Sequence, residues 1–224
     1  MTTHQPSTPA RFDVVGIGNA LVDVLSSEPD DFLAGHGLVK GSMTLIDTDT
    51  AEALYGAMGA KTEMSGGSAA NTLSGVASFG GRAAYIGRVR DDDLGSSFGH
   101  DLRSLGVHFS DRQATDGDPT GRCMIVVTPD AQRTMNTYLG ASAALGTDAL
   151  DLDLVADAHI TFLEGYLFDR PEAKEAFRVA AEKSAIVLER YPDSEYVDDA
   201  LFLMAESFYR LESSRNRSTG GTGL

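Results

Sequence analysis

Residues 65–80, SGGSAANTLSGVASFG, constrain the fold of this chain more than any other stretch. The pair Gly66-Gly67 precedes a run that reads as a helix. Glycines at a helix start let a ligand approach backbone N–H groups that a Cβ would screen. The body of the run is small, with Ala69, Ala70, Ser74, Gly75, Ala77 and Ser78 around Leu73, Val76 and Phe79. So thin a helix packs closely, which calls for a sheet beneath it. Asn71 falls on the first turn, within reach of whatever the glycines admit.

The sequence supplies candidates for that sheet. Residues 12–18 (FDVVGIG), 83–86 and 158–163 (AHITFL) are compact apolar runs, the pattern of strands buried on both faces. Residues 21–25 continue in extended style, interrupted by Asp23, and residues 43–46 read as a further strand. Helices are expected over 30–38, from a cap at Thr48 or Asp49 to Met58, and over 94–105 before Gly106. Residues 123–128 and 134–139, joined by Pro129-Asp130-Ala131, predict a hairpin. Strands alternating with helices point to an α/β fold, and the hairpin to an antiparallel accessory piece. From Pro171 apolar residues recur at helical spacing to Tyr191, about five turns. A second helix is expected over 195–212, so the chain should end as a helical hairpin. Residues 1–10 and 213–224 are polar and expected to be disordered.

Composition matters for what it excludes. There are 33 acidic against 18 basic side chains, a formal net charge of −15. Such a surface repels phosphate backbones and anionic membranes. Cys123 is the only cysteine, so an internal disulfide and a cysteine-rich metal cage are both out of reach. No stretch offers the roughly 20 apolar residues of a membrane helix, and residues 1–10 lack the apolar core of a signal peptide. The expectation is a cytoplasmic protein with a small-molecule ligand and neither a nucleic-acid nor a membrane partner.

Several motifs remain open on the residues alone. Gly16-Ile17-Gly18 after a strand matches the start of a dinucleotide-binding turn, but Leu21 occupies the place of its third glycine. Gly66-Gly67-Ser68-Ala69-Ala70 approaches a nucleophile elbow, with His159 the one histidine placed late enough to serve as its base. No P-loop occurs, and no two of the five histidines have metal-ligand spacing. Asp91-Asp92-Asp93 suits a solvated turn before a helix. Asp23 is either a turn acid or a carboxylate accepting hydrogen bonds from substrate hydroxyls. Asn71 either bonds local backbone or meets a ligand. Glu164 ends the strand 158–163, at the edge where open α/β sheets place ligands.

Taken in order, six segments resemble the ribokinase/PfkB family of sugar and nucleoside kinases, its adenosine-kinase-like branch most closely. They are VVGIGNALVD with Asp23, GGSAAN with Asn71, IGRVRDDDLG around Asp92 and Gly95, LRSLGV, TGRCMIVVTPDAQRTMNTYLGA, and ITFLEGYLFDRPEAKEAF. The resemblance implies a ribokinase-like (Rossmann-like) α/β sheet with a small β lid from residues near 24–47 and 108–140. Closure of such a lid excludes water, which would compete as acceptor. It implies ATP-dependent phosphoryl transfer to a sugar hydroxyl, with ATP and Mg2+ as cofactors and a sugar or nucleoside as acceptor. Asp23 and Asn71 would hold acceptor hydroxyls, and Gly66 and Gly67 would admit the sugar to the backbone. Glu164 matches a strand-end acid that faces the sugar. Arg133 matches an arginine that swings towards the transferring phosphate, and is the one catalytic candidate. Arg90 and Leu73 stand where the family usually has glycine and a smaller residue.

The family's GAGD segment carries the aspartate that deprotonates the acceptor and the N–H groups that stabilise the phosphate. It does not occur in this sequence. Residues 11–183 therefore correspond to the acceptor-binding half of a truncated ribokinase-like domain, expected to be inactive or very weak alone. Residues 184–212 are similar to a tetratricopeptide-type repeat, which supplies the alternative of a non-catalytic interaction protein using its C-terminal helices. A sheet with an unpaired edge predicts dimerisation through that edge or the lid, unless the helical hairpin covers it.

Overall fold

Two kinds of strand in this sequence build two sheets. The computed structural model describes residues 10–110 and 113–190. In chain order the elements are β1 (Phe12–Ile17), β2 (Leu21–Ser27), α1 (Asp30–Gly35), β3 (Met43–Leu45), α2 (Thr48–Ala57), β4 (Lys61–Gly66), α3 (Ser68–Ser78) and β5 (Ala83–Ile86). There follow α4 (Asp93–Ser104), β6 (Val107–Phe109), β7 (Gly121–Val127), β8 (Arg133–Tyr138), α5 (Leu152–Ala156), β9 (Ala158–Leu163) and α6 (Pro171–Arg190).

The near-continuous apolar runs pair in parallel as β6-β5-β1-β9, the core sheet. The alternating and polar strands form a mixed sheet around the apolar central strand β7, in the order β3-β8-β7-β2-β4, which is the lid. In β2 the residues Val22, Val24 and Ser26 are buried, while Leu21, Asp23 and Leu25 are half-buried on the opposite face. Val22, Val24 and Met124 join Ala51 and Leu54 of α2 in one apolar cluster. The tilted rings of Tyr85, Phe98 and Phe109, with centroids 5.3–5.8 Å apart, tie α4 to the core sheet within that cluster.

The thin helix α3 packs on the core sheet as its composition predicts. A Cβ on Gly16 would stand 2.7 Å from Leu73 Cδ1, so the glycine in β1 makes the room that Leu73, fully buried, fills. The larger residue at 73 and the glycine at 16 are complementary shapes.

Some expectations need correction. The chain after Gly18 enters a strand of the other sheet rather than the helix that a dinucleotide-binding turn opens, so the dinucleotide reading fails. The cap of α2 is Asp47, which accepts from Thr50 N at 2.8 Å, rather than Thr48 or Asp49. Residues 61–66 form a strand that the sequence does not announce, because a polar edge strand paired only to β2 needs no apolar alternation. Residues 107–109 belong to the core sheet instead of the lid. The expected helix over 195–212 and the terminal tails lie outside the described residues, except Ala10, whose carbonyl accepts from Arg82 Nη1 at 2.8 Å. β9 is an edge strand among the described residues. No helix among them is long and apolar enough to cross a membrane.

Candidate functional site

The register of the lid aligns residues that are far apart in sequence. Asp23 on β2 lies opposite Met64 on β4 and Cys123 on β7. Cys123 lies opposite Thr137 on β8, and Thr137 opposite Leu45 on β3. One row therefore crosses the whole sheet as Leu45–Thr137–Cys123–Asp23–Met64. The neighbouring row is Met43–Met135–Ile125–Leu25–Thr62. Side chains two apart share a face, so both rows look away from α2. Asp23 is the single carboxylate in these two rows, of which Cys123, Ile125 and Thr137 are buried. Met43, Leu45 and Met64 of the same rows remain 52%, 60% and 44% exposed.

Asp23 is held in tension. Burial raises its carboxyl above the ordinary aspartate value, and the positive charge of Arg133, on the same face of β8, draws it back down. Burial also raises the Cys123 thiol, while a 3.3 Å hydrogen bond from Thr137 Oγ1 to its sulfur opposes that rise.

The β4–α3 turn meets this face at Gly66. A Cβ there would stand 2.6 Å from Asp23 Oδ2 and closer still to the carboxyl carbon. Gly67 caps α3 at φ 90°, ψ 144°, a conformation open essentially only to glycine, and a Cβ on it would fall 2.5 Å from the Asn19 carbonyl oxygen. Both glycines thus let the turn close onto the β1–β2 connection. Asn71 follows on the first turn of α3, its side chain exposed and its N–H donating to Gly67 O at 3.0 Å.

Glu164 occupies the end of β9 but is only 3% exposed. Its Oε2 accepts from Asn19 N at 2.6 Å, and its Oε1 accepts from the Ser68 hydroxyl and from Ala69 N at 3.2 Å. Around it Ser142 Oγ donates to Asn19 Oδ1 at 3.1 Å, and Tyr85 Oη donates to Gly18 O at 2.9 Å. The carboxylate expected to face a sugar is engaged by protein donors on both oxygens. The hydrolase reading fails here as well. Ser68 bonds Glu164, while His159 sits at the opposite end of β9, five residues or about 16 Å away.

A model of the pfkB family of carbohydrate kinases matches residues 42–201. The chain belongs to that family. A solved adenosine kinase from Sinorhizobium meliloti is 47% identical with a TM-score of 0.72, over 82% of this chain and 60% of its own. A probable sugar kinase protein from Rhizobium etli CFN 42 is 46% identical with a TM-score of 0.72, over 81% of this chain and 59% of its own. The guanosine-inosine kinase of Escherichia coli K12 is 29% identical across 162 residues, 69% of this chain and 37% of that protein. The chain thus spans about 60% of the solved relatives and little more than a third of the curated one. The pfkB architecture accounts for the layout above, with an α/β core sheet and a separate β lid.

The apolar rows of the lid are what reading the sequence missed. Leu45, Met64, Cys123 and Thr137 are separated by up to 92 positions, and only strand register aligns them. Asn19 and Ser142 were equally invisible, since an asparagine in a turn carries no signal of the serine that bonds it.

Proposed function

We propose that this chain carries the acceptor site of an ATP-dependent nucleoside kinase, with a purine nucleoside as acceptor. The observation that carries the reading is the row Leu45–Thr137–Cys123–Asp23–Met64 with its partner row. A flat base lies beside Asp23 on the exposed Met64, which stands directly opposite it on the neighbouring strand, and sugar hydroxyls meet Asp23 and Asn71. Mostly apolar walls with a few placed polar groups are the usual make-up of a small-molecule site. A free sugar would leave Met64 against water. The relatives named adenosine kinase and guanosine-inosine kinase support the same class.

In this reading Gly66 and Gly67 bring the α3 turn against the acceptor, and the lid excludes water from it. Arg133 balances Asp23 before a phosphate arrives and is then free to approach it. ATP, with Mg2+ as counter-charge, supplies the phosphoryl group in this family. Among the described residues no cluster of three or more His, Cys, Asp or Glu side chains could hold a metal ion, and the sequence contains no GAGD segment. The residues in hand therefore bind, orient and desolvate the acceptor, and no transfer step is assigned to them. The interaction-protein reading rests on residues 184–212, of which only 184–190, the end of α6, lie within the described residues.

Methyl-labelled methionine gives a direct test by NMR. Adenosine, inosine and guanosine should shift the Met64 methyl resonance, and Asp23→Ala should abolish the response. Ribose or fructose binding as tightly as the nucleosides, with that methyl unmoved, would sink the nucleoside reading.

A further inference from the structure

We propose that Glu164 is a positioning residue that locks the two acceptor-binding segments together, and that it touches no acceptor hydroxyl itself. The proposal rests on the acceptor-site reading for its ligand test, and on this chain's own hydrogen bonds for the rest.

The three donors to Glu164 come from two distant places in the chain. Asn19 is 145 residues away, and Ser68 and Ala69 are 96 and 95 residues away. Asn19 belongs to the connection that leads into β2 and Asp23. Ser68 and Ala69 open α3, directly after Gly66 and Gly67 and just before Asn71. One buried side chain at the end of β9 thus joins the segment that carries Asp23 to the segment that carries Asn71.

The surrounding sterics hold the same joint. A Cβ on Gly18 would stand 2.6 Å from Ala69 Cβ and 2.8 Å from Glu164 Oε2, so glycine at 18 makes room for the carboxylate. Asn19 is held through both of its flanking peptide groups. Its N–H donates to Glu164, and its carbonyl oxygen lies where a Cβ on Gly67 would come within 2.5 Å. Its side chain is pinned by the fully buried Ser142. Asn19 itself is 5% exposed, so this joint lies beneath the acceptor surface rather than on it.

The chemistry favours the joint over a ligand contact. An ionised carboxylate only accepts hydrogen bonds, and a buried one is tolerated when donors surround it. Here those donors include one N–H of the first turn of α3, that of Ala69, where the helix dipole also favours a negative charge. Turning the carboxylate towards one ligand hydroxyl would strand two buried backbone N–H groups and a hydroxyl. Stranding buried donors costs more than one new bond returns.

The test combines Glu164→Gln with a set of ligands that each lack one hydroxyl. Dissociation constants are measured for adenosine and its 2′-, 3′- and 5′-deoxy forms, alongside amide hydrogen exchange by NMR. Glu164→Gln keeps the shape but sets an NH2 group against N–H donors. It should weaken every ligand by one common factor, about tenfold or more. The Asn19 and Ala69 amides should lose exchange protection together. A role in global stability alone would lower the melting temperature and leave the dissociation constants of the folded protein unchanged, which would overturn positioning. A penalty that vanishes for one deoxy ligand would also overturn it, because Glu164 would then touch that hydroxyl. If Glu164→Gln does not fold, Ser68→Ala removes a single donor and should give a smaller uniform loss with the same amide response. A loss confined to one ligand would again refute the proposal. Should the wild-type chain bind no nucleoside, the acceptor-site reading alone fails, and unchanged Asn19 and Ala69 amides in Glu164→Gln would still be required to sink the joint.

Discussion

Replacing Gly66 by alanine removes no chemical group from the site and still should disable it. The added methyl would stand 2.6 Å from Asp23 Oδ2 and closer to the rest of the carboxyl group. Ordinary contact needs about 3.5 Å, so the carboxylate must retreat by about 1 Å. A displacement of that size in a binding group can cost about a hundredfold. A charge-assisted hydrogen bond to a hydroxyl contributes about 1.5–3 kcal/mol, which corresponds to a dissociation constant raised by about 10- to 150-fold. Overpacking in the lid should also destabilise the chain by about 1–3 kcal/mol. Calorimetric titration with adenosine measures the first effect and urea unfolding the second. The double variant Gly66→Ala/Asp23→Ala separates them, because truncating Asp23 makes room for the methyl. It should recover most of the stability and none of the binding. A Gly66→Ala protein that binds adenosine as the wild type does would refute the placement of Asp23 at the acceptor.

Asp23→Asn should stabilise the ligand-free chain at pH 7 while weakening nucleoside binding. Burial raises the folded-state carboxyl above its unfolded value of about 3.9, so stability is lost as pH rises from there through the raised value. The gain in melting temperature should disappear below about pH 4, and equal melting temperatures of both proteins at pH 7 would count against it. Gly67→Ala should cost about 1–3 kcal/mol in urea unfolding, because it combines a glycine-only conformation with a clash on the Asn19 carbonyl. An unchanged midpoint would mean that the β4–α3 turn is differently built. Asp13 is lowered to about 2 by hydrogen bonds from Arg82, so its contribution is present above about pH 4 and lost as pH falls towards 2. Both partners are at least 40% exposed, which limits the effect to about 1 kcal/mol or less. The stability difference between wild type and Asp13→Asn should therefore shrink across that window, and a difference that grows would contradict the pairing.

Three of the four core strands were legible because they are apolar runs with no rival pattern, while the three-residue β6 was not. Residues 12–17, 83–86 and 158–163 form strands where the sequence predicts them. The hairpin was equally plain, with Ala131 at φ 64° completing the turn that Pro129-Asp130-Ala131 announces. The edge strand β4 escaped because its residues answer to one neighbour and to water. At the site, Asp23, Gly66, Gly67 and Asn71 stood out through local chemistry and motif order. The role of Glu164 did not, because a strand-end carboxylate looks the same whether ligand or protein takes its lone pairs. Only the positions of Asn19, Ser68 and Ala69, all distant in sequence, separate the two cases.

The most direct measurement is a calorimetric titration of adenosine and of ribose into the purified chain and its Asp23→Ala variant. Adenosine should bind more tightly than ribose, and Asp23→Ala should weaken adenosine by about 10- to 150-fold. An absence of adenosine binding, or equal affinity in the variant, would contradict an acceptor site built on Asp23 beneath the apolar lid.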